Sequence, residues 1–98
     1  MSKLTQQSVN AFLMNKKFKK GNMQVEVLAH KSILKLHGNH IAYKYNNPEG
    51  TIEVQNCGWF TRTTKERLNA IPGVSVNQKN FYWYLNGERW AGNLVEVK

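Results

Sequence analysis

Three stretches of this sequence gather side chains able to do chemistry. Lys16, Lys17, Lys19 and Lys20 surround Phe18, a basic cluster whose ammonium groups can neutralise phosphates and would make binding salt-sensitive. Lys31 and Lys35 extend the positive charge into the following segment. The second stretch, Thr61-Arg62-Thr63-Thr64-Lys65-Glu66-Arg67, mixes hydroxyls with cations where a helix is expected to begin. A helix N-terminus presents unpaired N–H groups and partial positive charge, so Arg62, Thr63, Thr64, Lys65 and Arg67 are candidate phosphate contacts. The preferred account is simpler: Thr63 and Glu66 have capping-box spacing and close the helix start, leaving Arg62, Lys65 and Arg67 solvated. In the third stretch, Phe81-Tyr82-Trp83-Tyr84, strand alternation puts Phe81 and Trp83 on one face and Tyr82 and Tyr84 on the other. Tyr82 and Tyr84 are candidates for stacking unpaired bases. A domain this small needs its aromatics for a core, so coverage of that face is the favoured reading.

Catalytic groupings are sparse. The chain has no aspartate, and its six glutamates are scattered among charged neighbours. His37 and His40 flank Gly38-Asn39, but a metal would need further ligands, and Cys57 is remote in sequence with no second cysteine. A Cys57–His nucleophilic pair lacks an identifiable orienting group. An enzyme would require His37, His40 and Cys57 to converge in one pocket. No catalytic residue, metal site or cofactor is therefore expected, and Cys57 is read as a structural free thiol.

Charge points to a binding partner. The formal net charge is +8, and it is unevenly placed. Through Tyr45 there are eight lysines and the single acid Glu26, giving +7; the remainder holds six basic residues and five glutamates, giving +1. Such a field favours nucleic acid, an anionic membrane surface or an acidic protein, although lysines also serve solubility alone. No apolar run approaches a bilayer span and no signal peptide is evident, so a soluble protein of the cytoplasm is expected, without membrane association.

At 98 residues there is room for one domain, and 41% hydrophobic content supports a folded core. Segment 1–20 reads as a helix, with Val9, Phe12, Leu13 and Lys16 on one face, Ser2 or Thr5 as cap, lysines at its negative pole, and Gly21-Asn22 as its stop. Segment 23–55 reads as an antiparallel meander turning at Gly38-Asn39 and Asn46–Gly50, with Ile41, Tyr43 and Tyr45 on one face. Segment 62–71 is a short helix ended by Pro72-Gly73, and 74–97 supplies the C-terminal strands, with a type I′ hairpin at Asn86-Gly87 and an edge strand in Asn93–Val97. The expected class is α+β: an N-terminal helix, a curved antiparallel sheet of about five to seven strands, and one short helix before the C-terminal hairpin.

LHGNHIA at Leu36–Ala42, GWFTRTTKERLNAIPGV at Gly58–Val74 and QKNFYWYLNGERW at Gln78–Trp90 resemble small accessory proteins of bacteriophage genomes. The resemblance implies a phage protein acting inside an infected bacterium, where such proteins handle nucleic acid or block a host factor. It transfers no functional residue. Two functions are expected from the whole: phosphate-directed nucleic-acid binding, or inhibition of a host protein through the same basic face. A homodimer formed by edge strands would merge two such faces.

Overall fold

Ser2 starts the first helix as its N-cap, its hydroxyl accepting from the Thr5 amide at 3.1 Å. The computed structural model describes residues 2–97, so Met1, the first residue of the expected helical segment, lies outside the described residues, as does Lys98. The helix, α1, covers Lys3–Leu13 and buries Thr5, Ser8, Val9 and Phe12, a single stripe at helical spacing. It ends well short of residue 20. Asn15 takes a left-handed conformation (φ 56°), the Asn15 N–H reaches the Phe12 carbonyl, and the Lys16 N–H reaches the Ala11 carbonyl at 2.9 Å. This is a Schellman closure with asparagine where glycine is commoner. Lys16 and Lys17 therefore follow the helix end directly, but Lys19 and Lys20 do not sit there; Phe18–Lys20 form the edge strand β1, and Gly21-Asn22 is the turn after it.

Four more strands follow: β2 (Met23–Val27), β3 (Lys31–Leu36), β4 (Asn39–Tyr45) and β5 (Ile52–Val54). Their hairpins are local. The β3–β4 turn is His37-Gly38, one residue earlier than expected, and both residues adopt positive φ as a type I′ turn demands. The Asn46–Gly50 turn forms as read, with Asn47 Oδ1 accepting from the Thr51 amide at 3.0 Å. Helix α2 (Arg62–Asn69) comes next, then β6 (Val76–Lys79), β7 (Tyr82–Leu85), β8 (Glu88–Arg89) and β9 (Val95–Val97). The α+β class is as expected, with nine strands among the described residues divided between two sheets. One is antiparallel in the order β1-β2-β3-β4-β5-β9; the other is β6-β7-β8.

One hydrophobic cluster joins α1, the large sheet, α2 and the small sheet, including Phe12, Val25, Leu34, Ile41, Leu68 and Trp83. Each fully buried aliphatic or Phe side chain contributes about 1.5–3 kcal/mol. Asn69 fastens the small sheet to α2 by pairing with both backbone groups of Val76, donating at 2.8 Å and accepting at 2.6 Å. Asn56 and Gly92 lock the return path: the Asn56 amide donates to the Gly92 carbonyl, and a Cβ at Gly92 would overlap the Asn56 side chain.

The two helices are joined through Arg67. Its side chain is only 7% exposed; the guanidinium donates to Thr5 Oγ1, to Glu66 Oε2 at 2.5 Å and to Asn22 Oδ1 at 3.2 Å. Glu66 also accepts from Thr5 Oγ1 at 2.8 Å. The Thr5 hydroxyl, working against burial's opposing pull and aided by the nearby guanidinium, holds the Glu66 carboxyl below its ordinary range.

Arg67→Ala should lower stability by about 2–4 kcal/mol, since it removes the buried donor shared by Thr5, Glu66 and Asn22 and empties a packed site; urea unfolding measures it. Because the Glu66 pKa is lowered on folding, its contribution is present above the unfolded value near 4.5 and is lost as pH falls through the folded value. Glu66→Gln should therefore be less stable than wild type at neutral pH, with the gap closing below that value.

Candidate nucleic-acid interface

Alternation assigns each strand residue of the large sheet to a face. Met23, Val25, Leu34, Leu36, Ala42 and Val54 point to the helices. The opposite face carries Lys19, Gln24, Glu26, Lys31, Ile33, Lys35, Tyr43, Tyr45 and Glu53. Ile33 identifies it as a surface apart from the core: it is only 4% exposed yet does not belong to the core cluster. Lys31 and Lys35 flank it on the same strand and Tyr43 lies directly across, so aliphatic stems and an aromatic ring cover it.

A β-bulge completes this face. The β3–β4 register shifts between Leu34 and Lys35, so that Ala42 pairs with Leu34 while His40 pairs with Lys35. Ile41 is the extra residue and goes into the core, leaving the face expected to hold Ile41, Tyr43 and Tyr45 with His40 in its place. His40 Nδ1 lies 3.1 Å from the Tyr43 hydroxyl. Lys31 Nζ sits 4.7 Å from the Tyr43 ring centroid and 5.6 Å from that of Tyr45, within cation–π range. Tyr45 donates to Glu53 Oε1 at 2.6 Å, and that bond pushes the phenol up to about 12; burial raises Tyr43. Both rings remain neutral donors near pH 7. Lys35 pairs with Glu26 at 2.6 Å, which holds the Glu26 carboxyl below its usual range.

The candidate residues divide as follows. Lys19, Lys31 and Lys35 share the open face; Lys20 points to the helix side; Lys16 and Lys17 are exposed where the chain leaves α1. An exposed edge strand carrying lysines also resists edge-to-edge pairing, so solubility and binding both draw on β1. At α2 the capping expectation is corrected: Thr61, not Thr63, caps the helix, its hydroxyl accepting from the Thr64 amide at 3.2 Å. Glu66 therefore turns to Thr5. Thr64 and Arg67 are buried, contrary to the solvated Arg67 expected, and neither side chain is free to meet a phosphate. Arg62 is exposed. Thr63 is half-buried and lines a cleft of about 180 Å³ with His37 and Trp59. Lys65 leans away from the large sheet, donating to Gln78 Oε1 at 3.1 Å. Tyr82 and Tyr84 lie on the outer face of the small sheet, and the Arg89 guanidinium covers the Tyr82 ring at 3.6 Å. Phe81 is not on a strand face with Trp83; it occupies the turn.

His37, His40 and Cys57 take separate roles. The Cys57 thiol donates to the backbone carbonyl of His40 at 3.0 Å, the His40 imidazole is engaged by Tyr43, and His37 lines the cleft beside α2. Among the described residues no group of three or more His, Cys or Glu side chains is placed to hold a metal ion, and no helix is long and apolar enough to cross a membrane.

The architecture is that of a small α+β protein with helices on one face of its main sheet. A family model described as Kyanoviridae Gp96 protein matches residues 1–96, and the chain belongs to this family of phage proteins. No curated protein and no solved structure matches it.

Burial raises the Cys57 thiol above its ordinary value of 9.0, so little thiolate exists at neutral pH. A chromogenic disulfide reagent should modify Cys57 more slowly than free cysteine at pH 7.5, with the rate still climbing above pH 9.

Proposed function

We propose that this protein binds single-stranded nucleic acid and performs no catalysis, using the open face of the six-stranded sheet. The observation that carries this reading is the juxtaposition of Tyr43 and Tyr45 with Lys31 on that face. Single-strand binders combine aromatic rings, on which bases of any sequence can stack, with cations that follow the backbone. Lys31 supplies a cation beside the rings, Lys35 is already paired with Glu26, and Lys19 at the β1 edge with Lys16 and Lys17 continues the positive charge beyond the rings. His40 and Gln24 add hydrogen-bonding groups. Glu53 and Glu96 pair across β5 and β9 on the same side, so the field falls off towards β9 and favours a strand lying over β1 to β4. Lysines on a flat edge without these rings would equally suit an acidic protein surface; the tyrosines favour nucleic acid.

Fluorescence anisotropy with labelled oligothymidylate and with duplex of equal length tests this reading. Single strands should bind more tightly than duplex, with affinity falling as salt rises. Tyr43→Ala should weaken binding by about 1–3 kcal/mol, roughly 5- to 150-fold in Kd. Replacing Lys16 and Lys17 together by alanine should lower the salt slope by about 0.7 for each phosphate that is no longer neutralised. Absence of binding at low ionic strength, or affinity indifferent to Tyr43, would sink the proposal.

A further inference from the structure

Among the described residues three two-residue hairpin turns have positive φ at both positions: His37-Gly38, Asn80-Phe81 and Asn86-Gly87. In a type I′ turn both residues are left-handed, a conformation that glycine adopts freely and a bulky side chain adopts with strain. Two of the turns place glycine second. The β6–β7 turn places Phe81 there instead, at φ 71° and 94% exposed. Phe81 is thus unfavourable locally and belongs to no part of the core. Neither turn formation nor packing accounts for a phenylalanine at this position.

Its surroundings indicate what it meets. Beside it runs a groove lined by Phe60, Tyr82, Trp83, Arg89 and Trp90. Phe60 is 54% exposed although its ring packs edge-on to Trp83 at 5.1 Å. Arg89 lines the groove and lies over Tyr82; two further cations lie next to its lining residues, Lys79 paired with Tyr82 across the strands and Lys65 at 5.5 Å from the Trp83 ring. Exposed aromatics with arginine at a hairpin apex have the composition of protein-interface anchors. Arg89 already occupies a face of Tyr82, and Trp83 and Trp90 are buried, so the exposed ring surface here belongs chiefly to Phe81 and Phe60.

We propose that the apex of the β6–β7 hairpin, Phe81 together with this groove, is a docking site for a protein segment that presents an apolar side chain among carboxylates. Phe81 inserts into the partner, the groove receives the partner's apolar residue, and Lys65, Lys79 and Arg89 meet its acids. This surface is separate from the open face of the large sheet.

A displayed library of short random peptides, panned on the nuclease-treated wild-type protein, tests the proposal. Enriched peptides should pair an aromatic or aliphatic residue with Asp or Glu. The best of them, synthesised, should bind Phe81→Gly and Arg89→Glu at least tenfold more weakly. Phe81→Gly restores the favoured turn residue, so its melting midpoint should equal or exceed that of wild type, and loss of binding could not then be blamed on misfolding. The proposal is overturned by failure to enrich any sequence, by enrichment of basic peptides, by affinity indifferent to Phe81, or by a lower midpoint in Phe81→Gly. It is also overturned if Phe81→Gly weakens oligothymidylate binding or dissolves a dimer, since the apex would then serve nucleic acid or a second copy.

Discussion

The buried guanidinium of Arg67 decides how this fold is put together. Donating to Thr5 of α1, Glu66 of α2 and Asn22 of the β1–β2 turn, it fixes the two helices against each other and against one end of the sheet. A charge withdrawn from water must keep its partners, so these elements have one relative position that satisfies it. That position places both helices on the same side of the large sheet. The other side is left to side chains that the strands themselves provide, and the small sheet is held beyond α2 by Asn69. What is exposed follows from what Arg67 gathers.

The parts of this architecture legible in sequence are those set by local rules. Alternation in Met23–Val27, the Asn-rich turn before Thr51, the Pro72-Gly73 break and the Asn86-Gly87 hairpin depend on residues close in the chain, and the structure has them where the sequence puts them. The end of α1 is different, because asparagine at residue 15 is a weaker stop signal than the glycine at residue 21. The cap of α2 lies two residues before the expected one because Thr61, Thr63 and Thr64 are all able caps. Glu66 does not complete a capping box, since with Thr61 as cap the third helical position falls on Thr64, and Glu66 meets Thr5 and Arg67 instead. Long-range burial of a cation has no periodic signature, so nothing in the sequence around Arg67 sets it apart from a solvated arginine.

The open face shows the same division. Lys19, Lys31 and Lys35 stand out by charge, whereas the pattern around Tyr43 and Tyr45 identifies a strand face without marking a site. His40 is hidden by the bulge at Ile41: strict alternation puts His40 with Ala42 and Lys44, and one extra residue reverses it. A bulge depends on how two strands register, which the sequence of one strand does not disclose. The aromatics that the sequence offers for base stacking, Tyr82 and Tyr84, lie on the small sheet, where Arg89 covers Tyr82, a different surface with different chemistry.

The pairing of β9 with β5 bears on how the chain reaches this state. Strands β1 to β5 join neighbour to neighbour through short turns, so most of the sheet assembles from segments adjacent in the chain. Ile52 meets Val97 only after α2 and the whole β6–β8 hairpin unit have been looped out between them. Closing that loop costs more chain entropy than any of the hairpins, and the pairing offsets this only once the loop has its own structure. Folding should therefore finish with the docking of β9. Until β9 docks, β5 is an unpaired edge, and in a nascent chain it stays so until β9 has been made.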